Sequence, residues 1–273
     1  MLKNGVISGI AILILLSAIF LGGCSEYSKL LKSQDMAMKY EKGIEYYEDG
    51  DYVRASTLFD QIANIYRGTI RADTVKYYQA KSYYGQRDYM MAGHYFNELS
   101  TTYPNSAFLE EADFMTGYCY YQMSPRPELD QENTHKAITA MQMFMVKYPG
   151  SERVEEALQI ITEMSDKLVE KSYISARLYY DLGYYKSAIL ALRNSLIQYP
   201  DTKYREELMF LILKSSYLLA DNSIPVKQRE RYQATVDEYY SFIGEFPDGP
   251  YSREAERIYE SANDFLENKN DTS

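Results

Sequence analysis

Side chains equipped for bond-making chemistry are few in this 273-residue chain, which holds two Cys and two His. Cys24, Cys119, His94 and His135 lack the clustered spacing of a zinc site or a disulfide framework. A catalytic thiol needs a base within hydrogen-bond reach. No such pattern surrounds Cys119, which stands between Tyr118 and Tyr120 and reads as a small buried hydrophobe. His94 and His135 fall on helical patterns and read as surface residues. The acid pairs Glu110-Glu111 and Glu155-Glu156 open expected helices, where they favour the helix dipole. There is no Gly-rich phosphate loop. No catalytic residue, no metal and no cofactor are therefore expected, and the chain reads as a binding protein rather than an enzyme.

Cys24 is the exception. Lys3 is the one charged side chain before Glu26, and an apolar run from Val6 to Leu21, interrupted by Ser and Gly alone, leads into Leu21-Gly22-Gly23-Cys24. A basic start, an apolar stretch and small residues before a cleavage point make a secretory signal. The uncharged stretch from Asn4 to Ser25 also approaches bilayer-spanning length, so an uncleaved anchor is the rival reading. The small pair placed directly before a Cys favours cleavage. Leu21, Gly22, Gly23 and Cys24 resemble the lipobox of bacterial lipoproteins, in which the Cys sulfur is acylated and becomes the new N-terminus. That resemblance implies a signal peptide over 1–23, acyl chains such as palmitate on Cys24, and a lipidated tether over 24–34. Each buried CH₂ contributes about 0.8 kcal/mol to attachment, so several chains hold stably where one does not. Removal of 1–23 takes Lys3 and no acid, and acylation leaves Cys119 as the one free thiol. Ser25 follows the Cys without a retaining Asp or an acidic run. The resemblance then implies the outer membrane, on its periplasmic side.

Composition narrows the partners. Asp+Glu 39 against Lys+Arg 29 gives a net charge of −10, a poor basis for binding nucleic acid. Hydrophobic residues at 46% are too many for a disordered chain. Thirty Tyr and ten Phe stand beside no Trp at all.

The elements that would position these rings repeat along the chain. Gly43, Ala80 and Gly117 are evenly spaced, each followed at the third residue by Tyr46, Tyr83 or Tyr120. Ala55, Ala92, Ala137 and Ala188 are each followed at the fourth residue by Phe59, Phe96, Met141 or Leu192. Tyr103-Pro104, Tyr148-Pro149, Tyr199-Pro200 and Phe246-Pro247 close successive units, because Pro cannot continue a helical ladder. Small residues let two antiparallel helices approach, while Tyr and Phe fill the volume beside the contact. Gly50-Asp51 and Arg87-Asp88 fall between paired helices as turns. This pattern resembles the tetratricopeptide repeat. It implies an all-α solenoid of about five helical hairpins over 35–266, with a capping helix from Ser252 to Leu266 and a polar tail over 267–273. Ser124-Pro125-Arg126-Pro127 marks an inserted loop, and Ser151 to Asp181, free of Pro and Gly, reads as one long helix.

In such repeats the first helix of each hairpin lines a groove. The exposed positions would be Tyr40, Ile44 and Tyr47, then Tyr77, Lys81 and Tyr84, then Phe114, Tyr118 and Tyr121. The aromatic members, Tyr40, Tyr47, Tyr77, Tyr84, Phe114, Tyr118 and Tyr121, suit an extended peptide, since each ring gives a large contact area at low entropy cost. Packing between repeats would produce the same pattern, and both readings stand.

The lipobox, the short tether and five hairpins, with Lys147-Tyr148-Pro149-Gly150-Ser151, Leu168–Asp181, Gly183 to Ala188 and Tyr199-Pro200-Asp201-Thr202, resemble the BamD-type outer-membrane assembly lipoproteins, the Bacteroidota form most closely. The resemblance implies a scaffold whose partners are the barrel-forming BamA-type subunit and unfolded outer-membrane protein clients. Two alternatives are a periplasmic repeat adaptor coordinating envelope constriction or peptidoglycan synthesis, and a glycan-binding outer-membrane lipoprotein. Cys24 speaks against the first, and the missing Trp against the second.

Overall fold

The computed structural model describes residues 26–268, and no strand occurs among them. After a short helical stretch over 26–32 come eleven helices. They are α1 (Met36–Glu48), α2 (Tyr52–Tyr66), α3 (Ala72–Gly85), α4 (Tyr89–Thr102), α5 (Leu109–Met123) and α6 (Glu132–Lys147), then α7 (Val154–Asp181), α8 (Tyr185–Gln198), α9 (Arg205–Asp221), α10 (Pro225–Glu245) and α11 (Ser252–Asn268). The protein is thus all-α and built of tetratricopeptide-type hairpins, as the repeat spacing implies. The last helix runs two residues beyond Leu266, into the expected polar tail.

Local chemistry sets the boundaries. Gly50 takes φ +78° to turn the chain, and Asp51 then accepts from the Arg54 amide to cap α2. At the equivalent turn Arg87 takes φ 62° without being glycine, and Asp88 caps α4 through the Met91 amide. The helices α4, α6, α8 and α10 each end two residues before Pro104, Pro149, Pro200 or Pro247. Pro225 opens α10 at its first turn, where no amide partner is lost.

The chain divides into two compact units. One takes the residues up to Ser124 together with Glu132–Ile161; the other takes Pro125–Gln131 with Thr162 onward. The boundary falls inside α7, the continuous 28-residue helix expected from a segment without Pro or Gly.

In the first unit the hairpins α1/α2, α3/α4 and α5/α6 close on small residues. A methyl group added to Gly43 would lie 3.0 Å from Phe59 Cζ, and one on Gly117 would lie 3.1 Å from Ala140 Cβ. Ala55, Ala80, Ala92 and Ala137 are fully buried at the same contacts. The stretch over 26–32 packs onto α1 and α2. Leu30 is buried, Tyr27 meets Tyr46 edge-on at 5.7 Å, and the Arg54 guanidinium lies 5.1 Å over Tyr27. The buried Lys39 ammonium donates to Leu31 O at 3.0 Å and Gln61 Oε1 at 2.7 Å. A cation on the last carbonyls of a helical turn satisfies acceptors that would otherwise be orphaned.

In the second unit Ala176, Ala188, Leu192 and Leu208 form one core cluster, and Phe210, Leu213, Phe242 and Ala255 form another. The 125–131 loop belongs to this unit, where Lys171 Nζ donates to Leu129 O at 2.8 Å.

Candidate peptide-binding face

The seven aromatic groove candidates occupy three positions on the first helix of each hairpin, and the structure gives each position a different role. The earliest position holds Tyr40, Tyr77 and Phe114, and all three rings join one hairpin to the next. The Tyr77 ring stacks on Phe108 at 4.1 Å with an interplanar angle of 13°. Its hydroxyl donates to Glu111 Oε2 at 2.8 Å, and Lys81 Nζ donates to Glu111 Oε1 at 3.0 Å. Burial, then the Glu111 carboxylate, pushes the Tyr77 hydroxyl far above its ordinary value. Burial works to raise the Glu111 carboxyl, but hydrogen bonds from Lys81 and Tyr77 outweigh it and hold that group low.

This arrangement is a clasp, and the second unit repeats it. Tyr173 stacks on Tyr204 at 4.1 Å and 9°, its hydroxyl donates to Glu207 Oε1 at 2.8 Å, and Arg177 Nη1 donates to the same oxygen at 3.0 Å. Phe210 stacks on Tyr251 at 4.6 Å, and Lys214 Nζ donates to Glu254 Oε1 at 2.7 Å. The components keep one register. A ring meets the residue that precedes the next first helix, and a base four residues on meets the third residue of that helix.

Tyr40 and Phe114 fill the same slot in variant form. The Arg71 guanidinium lies 4.9 Å over Tyr40, and that of Arg153 lies 4.8 Å over Phe114. Phe114 is 2% exposed, and its edge-on contact with Phe144 at 5.3 Å holds it under the surface. As a groove-lining residue it is therefore corrected: an apolar ring between two helices is more stable buried than presented to water. Tyr40 and Tyr77 are half-buried and already in use between hairpins.

The last position holds Tyr47, Tyr84 and Tyr121, and Tyr180 and Tyr217 continue it in the second unit. These rings pack near the opening of the second helix: Tyr47 lies 5.6 Å from Tyr52, Tyr84 lies 5.6 Å from Tyr89, and Tyr180 lies 6.3 Å from Tyr185. Sequence reasoning passed over Tyr52 and Tyr89, though each follows a turn Asp directly. Gly85 makes room for the first of them, since a methyl group there would lie 2.5 Å from the Tyr52 ring.

The middle position separates the hairpins. It carries Ile44, Lys81 and Tyr118 in the first unit, and Arg177 and Lys214 in the second. Tyr118 lies 6.3 Å from Tyr84, 5.5 Å from Tyr121 and 5.9 Å from Phe114. The structure thus brings Tyr84, Tyr118 and Tyr121 into one half-buried aromatic patch, while Tyr47 packs with Tyr52 and Tyr78 instead. The hydroxyls of Tyr47, Tyr84 and Tyr118 make no hydrogen bond among the described residues. An amphipathic ring with an unused polar tip is suited to a peptide ligand.

Elsewhere in the first unit a mostly apolar cavity of about 510 Å³ is lined from α4, α5 and α6 by Asn97, Thr116, Ala140, Met143 and Val146. It contains none of the groove candidates. Cys119 is fully buried, and burial pushes its thiol up to about 12, which suits a packing residue better than a nucleophile. His94 and His135 are exposed. Among the described residues no cluster of His, Cys, Asp or Glu could hold a metal ion, and no helix is long and apolar enough to cross a membrane. Leu21, Gly22, Gly23 and Cys24 lie outside the described residues.

Comparison with known proteins adds an independent line. The model of the YfiO family, described as outer membrane lipoprotein, matches residues 32–225. The putative outer membrane protein assembly factor BamD of Aquifex aeolicus (strain VF5) is 28% identical over 260 residues, covering 93% of this chain and 83% of that protein. Among solved structures, the TPR2AB-domain:pHSP90 complex of yeast Sti1 aligns at 12% identity with a TM-score of 0.37, over 84% of this chain and 98% of that one.

Proposed function

We propose, for a chain that belongs to the YfiO family of outer-membrane lipoproteins, the role of a non-catalytic, lipid-anchored scaffold in outer-membrane protein assembly. In this reading the scaffold binds the barrel-forming BamA-type subunit and receives unfolded outer-membrane protein clients. The observation that carries it is the family match over 32–225, supported by a BamD-named relative aligned along 93% of the chain. Cleavage after Gly23 and acylation of Cys24 would fix the N-terminus in the outer membrane with the hairpins on the periplasmic side. The helix over 26–32, packed on α1 and α2, begins two residues after that anchor. Clients would meet the Tyr84, Tyr118 and Tyr121 patch, where half-buried rings and the unused hydroxyls of Tyr84 and Tyr118 favour an extended segment over a folded one.

Copurification from outer membranes tests this reading. The expected companion is a barrel protein carrying periplasmic repeat domains. Recovery of a cell-wall synthase or a sugar importer in its place would overturn it. The anchor has its own check: Cys24→Ala should move the protein out of the detergent phase, and continued partitioning there would indicate an uncleaved helix.

A further inference from the structure

Among the joints between hairpins, the one after the third hairpin keeps the acid of the clasp and lacks its base. Where the clasp is complete, a base on the first helix meets an acid at the third residue of the next first helix: Lys81 with Glu111, Arg177 with Glu207, and Lys214 with Glu254. At the joint after the third hairpin the acid is present as Glu156, but the base position holds Tyr118. Glu156 is exposed and makes no hydrogen bond or ion pair among the described residues. The cation nearest in sequence, Arg153, is engaged over the Phe114 ring. The Tyr84 hydroxyl feels the Glu156 carboxylate, as the Tyr47 hydroxyl feels Glu111 one hairpin earlier. The acid therefore keeps its place in the register while its partner is missing.

We propose that Tyr84, Tyr118 and Glu156 form a subsite for a basic side chain, Lys or Arg, carried by an extended peptide, and that the ligand supplies the cation missing from this joint. The subsite rests on the peptide-binding reading of the same face and adds a charge preference to it. Two features make a cation the fitting occupant. The carboxylate stands where three equivalent carboxylates each hold a base, and the ring of Tyr118 in the base position, with that of Tyr84 beside it, offers negative π faces. The patch is small and open to water, so the pairing contributes selectivity more than affinity.

The test uses the full chain and two synthetic peptides of alternating aromatic and polar residues, identical except that one carries a single Lys where the other carries Gln. Fluorescence anisotropy should give three- to fivefold tighter binding for the Lys peptide, about the size of one exposed charge pair with a cation–π contribution. Glu156→Gln, at an exposed position, should erase that preference while leaving the Gln peptide unaffected. Tyr118→Lys should place the missing base in the chain itself and abolish the preference in the same way. Equal binding of both peptides to the unaltered chain would overturn the subsite and leave the peptide reading intact. Binding of neither peptide would overturn both.

Discussion

Two joints in the first unit use the same positions to different ends. Between the second and third hairpins, Tyr77, Phe108, Lys81 and Glu111 satisfy one another completely. After the third hairpin, Phe114 sinks to 2% exposure under Arg153, and Tyr118 replaces the base and leaves Glu156 unmatched. The second unit sides with the first pattern at Tyr173 and again at Phe210. A ring that recurs with its partners in every hairpin is part of the packing. A ring that departs from the register, with polar groups left over, is where a ligand can add something. By that criterion Tyr77, Tyr173 and Tyr251 hold hairpins together, and Tyr118 is the groove candidate whose position asks for another explanation.

The largest effect should come from the packing both joints depend upon. Phe59 is fully buried against Gly43, and Phe59→Ala should cost about 3–5 kcal/mol, read as a lower denaturant midpoint. The sharper contrast lies between the joints themselves. Tyr77→Ala removes a stacked ring and a hydrogen bond to a carboxylate and should cost ~2–3 kcal/mol. Tyr118→Ala should cost about 1 kcal/mol or less while weakening peptide binding. Equal destabilisation by the two changes would erase the distinction drawn between them.

Acid should separate the joints as well. The Glu111 carboxyl titrates lower in the folded chain than in the unfolded one. Its stabilising contribution is therefore complete above the ordinary value of 4.5 and is lost as pH falls through the folded value. Glu111→Gln should flatten the loss of stability between about pH 5 and pH 3, by an amount on the order of 1 kcal/mol. A denaturation series across that range that is unchanged by the substitution would mean the clasp carries no linkage.

The smallest effect on global stability concerns the helix over 26–32. Lys39→Met removes the donor to Leu31 O and Gln61 Oε1. Hydrogen exchange at amides 27–33 should then speed up by about tenfold, for a local opening eased by ~1–2 kcal/mol, with little change in the global midpoint. Exchange already fast in the unaltered chain would show that this segment is a loose tether.

Much of this architecture is legible in the chain because its signals are local. Asp51 and Asp88 cap the helices they precede, Pro104 and Pro149 stop the ones they follow, and the unbroken stretch to Asp181 becomes α7. The clasps are harder to read. Tyr77 and Glu111 lie 34 residues apart, as do Tyr173 and Glu207, so each pair emerges only when the repeats are laid over one another. Periodicity placed Phe114 on the groove because it counts positions and not neighbours. Burial there is decided by Phe144 on the next helix and Arg153 in the turn before α7. In sequence Glu156 reads as a helix-opening acid, and its lack of a base becomes visible only beside Glu111, Glu207 and Glu254. The loop over 125–131, inserted within the third hairpin, stretches the spacing at that joint and hides the comparison from a simple count.

The central claim is that clients meet the first unit at the joint that departs from the register. A photo-crosslinking residue placed at Tyr118, and separately at Tyr217 of the second unit, measures it most directly in cells producing a tagged outer-membrane barrel client. The account expects a client adduct from position 118 and none from 217, where the ring lies among Phe210, Leu213 and Phe242 or against Tyr232. Adducts at 217 alone, or at neither position while the barrel still assembles through this protein, would contradict it.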